Sequence, residues 1–209
     1  AYYAVYPYSA VSDYADQMVI ASLPSIQDAR KGSFDPAANI SVSSTTDQDK
    51  NFVFHHAVGY LRFTIGEGSG KVTSLTVQAP GGEALSGSFY VDCTETAPEV
   101  LPDEGQPYVK IVSETSLEAG DYYIAMLPGV YSEGLSFTFE GPDGVAVKAI
   151  EEPLTLERGK INTLGTVSGL EWDNGESYYV KVAQSYDDWS GEYLITYSTA
   201  STVKVFNSW

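Results

Sequence analysis

NFVFHHAVGYLRFTI, residues 51–65, is the longest apolar run in the chain. Leu61, Phe63 and Ile65 alternate with Arg62 and Thr64, a period of two that predicts a strand with one buried face. Phe52 and Phe54 fall on the opposite parity. Either both faces are covered near Phe52, or Gly59 marks a bulge that swaps them. The run reads as the central strand of a β-sandwich.

Outward from it the strand signals are regular. Val72–Ala79, Leu85–Cys93, Tyr108–Val112, Asp121–Leu127, Leu135–Phe139, Val145–Ile150 and Ile161–Val167 are short alternating or apolar segments. Pro80-Gly81-Gly82, Pro128-Gly129 and Gly141-Pro142-Asp143-Gly144 punctuate them, and Gly66–Gly70 reads as a hairpin turn. Residues 94–106, with Pro98, Pro102, Gly105 and several acids, read as an exposed loop. Upstream, Ala1–Tyr8 is a strand stopped at Pro7, and Val19–Leu23 is a short apolar run. Gln27–Lys50 is loop-like and the best connection between units. Downstream of Gly169 the composition shifts. Tyr178–Val182, Tyr193–Tyr197 and Val203–Phe206 read as three more strands. The expected class is all-β with little helix. The expected units are 1–50 (the tail of an N-terminal sandwich plus a connection), 51–168 (the main sandwich) and 169–209 (a linker and a small or truncated aromatic-rich β unit).

The 209 residues are 43% hydrophobic, enough to bury a real core. Sixteen Tyr and eight Phe beside 19 Gly and 10 Pro suit strands and turns. A formal net charge of −17 repels phosphate backbones and anionic headgroups, so nucleic-acid and peripheral-membrane binding are poor expectations. No apolar run is long enough to span a membrane. A single cysteine, Cys93, permits no internal disulfide and reads as a small buried hydrophobe. The opening directly on strand-like residues suggests a chain without its natural start and export signal.

No catalytic constellation emerges. Asp47, Asp49 and Asn51 begin like a calcium loop, but Phe52 stands where glycine is needed and Val58 where glutamate is. His55 and His56, adjacent on a strand, point to opposite faces and cannot share one metal. The expected role is that of structural histidines, with no metal and no cofactor. Ser201-Thr-Val-Lys204 matches S-x-x-K, but in a strand-like setting without partner motifs. Paired carboxylates for glycoside hydrolysis sit in no recognisable setting. The chain reads as a non-enzyme. One sharper reading concerns Trp172, Tyr178, Tyr186, Trp189 and Tyr193. These rings flank polar and acidic residues, so they could stack on sugars as a carbohydrate-binding surface; the plainer reading is packing within a small β unit.

Several segments, in order, resemble the fimbrillin-like surface lipoproteins of Bacteroidetes, which are pilus subunits and adhesins. They are Tyr2-Tyr-Ala-Val-Tyr-Pro-Tyr8, Phe52-Val-Phe-His-His-Ala57 with Leu61, Phe63 and Ile65, and Leu85-Ser-Gly87. Tyr122-Tyr-Ile-Ala-Met-Leu-Pro128, Leu156-Glu-Arg-Gly-Lys-Ile161 and Leu164-Gly-Thr-Val167 complete the set. The match spans roughly 1–168. The resemblance implies tandem β-sandwich domains (transthyretin-like, fimbrillin-like), export, and a lipid anchor at the outer membrane through an N-terminal segment absent here. It also implies assembly by strand addition to a sheet edge. The partners so implied are other pilus subunits or copies of itself. A host or dietary glycan, or a host protein, is the further partner an adhesin would meet.

Overall fold

The computed structural model describes residues 2–15, 18–92, 99–175 and three strands beyond. It is all-β and sandwich-like, with one 3₁₀ turn at Tyr8–Ala10 and no α-helix among the described residues. In chain order the strands are β1 (Tyr2–Tyr6), β2 (Val11–Ala15), β3 (Met18–Leu23), β4 (Ile26–Asp28), β5 (Ser41–Thr45), β6 (His55–His56) and β7 (Gly59–Ile65). Then come β8 (Ser74–Gln78), β9 (Ser86–Asp92), β10 (Glu99–Gln106), β11 (Tyr108–Val112), β12 (Gly120–Met126), β13 (Gly129–Tyr131) and β14 (Leu135–Gly141). The rest are β15 (Gly144–Ile150), β16 (Leu154–Leu156), β17 (Ile161–Val167), β18 (Ser177–Val180), β19 (Tyr193–Tyr197) and β20 (Val203–Asn207).

Two sheets, ordered β15-β14-β8-β11-β4 and β12-β7-β17, enclose one core. Leu61, Phe63 and Ile65 of β7 meet Tyr122, Ile124 and Met126 of β12 on its floor, and Leu75, Val77, Phe137 and Phe139 face them from the other sheet. A second core holds Val19, Ala21 and Leu23 of β3, Phe89 and Val91 of β9, and Val42 of β5. Its sheets are ordered β10-β9-β3-β2 and β1-β5-β6. Tyr60 and Ala125, on the opposite parity of β7 and β12, belong to this second core. The β7–β12 pair thus has a core on each face, because the period of two sends successive side chains to opposite sides.

Residues 51–65 do not form one strand. Phe52 and Phe54 are 44% and 50% exposed and lie outside any strand; β6 pairs with β5, and β7 starts afresh in another sheet. Gly59 is not a bulge: it opens β7 and pairs in register with Met126. A Cβ there would stand 2.6 Å from Leu156 Cγ and 2.7 Å from the Glu157 carbonyl, so only glycine permits the approach. Gly66–Gly70 is not a hairpin turn: β7 and β8 lie in different sheets, and the turn carries the chain across the sandwich. The loop-like 27–50 contains β5, whose small polar residues are paired along β1 from Tyr2↔Thr45 to Tyr6↔Ser41. The expected loop 94–106 contains β10, an exposed sheet edge where Pro102 and Gly105 flank a register shift.

Pairing crosses residue 50. β3 runs antiparallel to β9, and β4 lies parallel to β11. β18, β19 and β20 form their own antiparallel sheet.

Candidate functional site: the cleft between β15 and β17

β17 runs parallel to β7 and is the outer strand of its sheet. Its register shifts between Thr163 and Gly165, leaving Leu164 as the extra residue, and Gly165 takes φ +91°. β15 is the outer strand of the facing sheet. Between these two edges lies a cleft of about 140 Å³. Phe63, Leu75, Phe137 and Phe139 form its floor, and Leu164 and Ile150 its rims. The two sheets therefore do not close on each other along this side, and the core side chains that line the cleft stay buried beneath it.

Lys148 spans the mouth. It pairs with Phe137, so it stands on the core-facing side of β15, and its Nζ donates to the Ser168 carbonyl at 3.0 Å just past β17. An inward-pointing charge on an edge strand hinders uncontrolled pairing with another chain. At the other end of β15, Asp173 caps the edge: the Val145 N–H donates to Asp173 O at 2.9 Å and the Asp173 N–H to Val145 O at 2.8 Å.

The residues singled out in the sequence are not gathered here. Trp172 is half-buried, packed on the core beside the cleft's end, with its Nε1 2.7 Å from where a Cβ of Gly70 would be. Tyr186 and Trp189 lie outside the described residues, as does Cys93. Tyr178 and Tyr193 lie in β18 and β19, whose backbone alone is described. His56 is held structurally: its Nδ1 is 3.3 Å from Ser41 Oγ and 3.2 Å from Tyr60 Oη, with its ring edge-on to Tyr60. Tyr60 Oη in turn donates to Asn39 Oδ1 at 2.5 Å, and burial pushes its phenol pKa up. Asn51 Nδ2 donates to Asp49 Oδ1 at 2.5 Å, tying those two residues to each other. Sequence reasoning located the strands that make the cleft but not the cleft, which arises from strand order.

Solved structures share this fold. A candidate cell-adhesion protein from Bacteroides ovatus superposes with a TM-score of 0.51 at 14% identity, over 81% of this chain and 63% of that one. Another from Bacteroides uniformis gives a TM-score of 0.51 at 18% identity, over 81% and 68%. This chain thus spans less than two thirds of the length of the first of them. No family model matches the chain. No curated protein matches it either. At these identities the likeness establishes the fold. Among the described residues no helix is long and apolar enough to cross a membrane.

Proposed function

We propose that the chain is a non-enzymatic cell-surface adhesion protein of the fimbrillin-like kind, joined to pilus subunits or to copies of itself by β-strand addition. The observation that carries this reading is the apolar cleft between the outer strands β15 and β17. An added strand would bond to unpaired backbone on an edge and turn alternate side chains toward Phe137 and Phe139. The fold shared with two Bacteroides candidate adhesion proteins supports a surface role. Export and a lipid anchor at the outer membrane belong to the same proposal.

The test is an unboiled detergent gel of the native surface fraction, probed for this protein. Strand-joined copies resist detergent without heat and run as a ladder that collapses on boiling. A single band before boiling overturns strand addition and leaves a free-standing adhesin. Lys148→Ala, which unblocks the cleft mouth, is expected to intensify the ladder without abolishing folding.

A further inference from the structure

A second cleft, of about 310 Å³, lies between the open edges of the other sandwich. β1 and β2 are the outer strands of its two sheets, and both contribute to the cleft's lining. Its floor is aliphatic, from Val5, Val11 and Val19. Its walls are aromatic: Tyr3 and Tyr14 stand 5.3 Å apart between ring centroids, inclined at 35°, with Tyr8 beside them. Among the described residues, Asp13 is the charged member of the lining. A bulge at Ser12, where Val11 pairs with Ala21 but Asp13 with Ile20, sets the local course of β2. Asp13 Oδ1 is oriented by the Tyr14 N–H at 2.7 Å.

Tyr8 is 88% exposed and Tyr14 51%. Rings so placed bury little in the fold, and Tyr8 sits on an ordered 3₁₀ turn rather than a loose tail. An aliphatic hollow with tyrosine walls and a placed carboxylate has the composition of a ligand site.

We infer that this tyrosine-walled cleft binds a cationic side chain, lysine or arginine, presented by a basic segment of a partner protein. Three features favour positive charge. The faces of tyrosine rings carry negative potential, Asp13 adds a carboxylate, and the net charge of −17 draws cations in from a distance. An anion would be repelled by all three. A neutral sugar could stack on the rings but would gain nothing from the long-range field. At about 310 Å³ the hollow has room for a long side chain and its stem.

The test titrates the full chain by calorimetry with the peptide Gly-Arg-Gly-Arg-Gly-Arg at low and at moderate salt. Tyr8→Ala, Asp13→Asn and a distant charge control, Glu151→Gln, are run alongside, each checked for an unchanged thermal melt. Asn retains the oxygen that accepts the Tyr14 N–H. Tyr8→Ala is expected to weaken binding about 5- to 30-fold. Asp13→Asn is expected to weaken it about 5-fold and reduce its salt dependence. Glu151→Gln is expected to change it less than about 2-fold. No binding, or equal affinity in all three variants, overturns the inference, the latter showing only diffuse attraction to an acidic protein. Tyr8-dependent binding of a neutral oligosaccharide such as maltohexaose, unchanged by salt and by Asp13→Asn, would overturn it in favour of a glycan site. None of these readouts depends on the strand-addition ladder, so the two proposals stand or fall separately.

Discussion

Gln27 is 1% exposed and sits where two parts of the chain meet. Its Nε2 donates to the Ala125 carbonyl at 2.8 Å and to Pro24 O at 3.2 Å, and its Oε1 accepts the Ala125 N–H at 3.0 Å. β12 is an outer strand, so Ala125 needs a partner there, and one side-chain amide supplies it in place of a neighbouring strand. Gln27→Leu would orphan both Ala125 groups. We expect a loss of about 2–3 kcal/mol in urea unfolding; a loss under about 0.5 would mean that water replaces the amide. Glu140 is a second legible test. Lys110 Nζ at 2.5 Å, then Ser74 Oγ at 2.6 Å, hold its carboxyl below the ordinary range. A depressed folded pKa means that the ionised form favours the fold. Its contribution is present above the unfolded carboxylate value and is lost as pH falls through the folded one. The pair is partly exposed, so the effect is modest. Glu140→Gln is expected to flatten the acid side of the stability–pH curve. An unchanged curve would assign that acid dependence to other carboxylates.

At the scale of elements, the β14–β15 hairpin carries the clearest constraint. Gly144 takes φ +122°, and a Cβ there would lie 2.1 Å from the Asp173 carbonyl. Gly144→Ala is expected to cost at least about 1–3 kcal/mol and to free Asp173 from the β15 edge. Faster amide exchange at Val145 and Asp173 in the variant would show it; protection equal to the parent would mean that the backbone accommodates the methyl. The turn itself was legible from Gly-Pro-Asp-Gly. β5 was not: Ser-Val-Ser-Ser-Thr is small and polar, and it is a strand because β1 pairs along its length and β6 pairs with its start. β10 hid behind Pro102 and Gly105, residues an edge strand tolerates because one side of it needs no partner.

At the scale of the whole molecule, the β7–β12 pair joins two cores back to back. Independent sandwiches divided near residue 50 would unfold separately. Strands shared as closely as these predict that both cores open together. Native-state hydrogen exchange in rising denaturant checks this at Val42 in one core and Leu75 in the other. Merging exchange free energies are expected. A core around Val42 that opens well before the one around Leu75 would instead support a division near residue 50.

The sequence by itself determined the all-β class, the acidic balance, most of the turns, the buried parity of β7, β8 and β14, and β12 as a buried strand. Those properties depend on residues close together in the chain. Alternation states which side chains face inward, and glycine or proline states where a strand must stop. Alternation does not name the neighbour. That β3 pairs with β9, that β17 returns parallel to β7, and that β6 and β7 part company at Gly59 were decided by contacts between distant residues. The two clefts belong to the same class of fact. Each exists because two strand edges face one another without closing, and an edge is defined by the strand that is missing beside it rather than by its own residues.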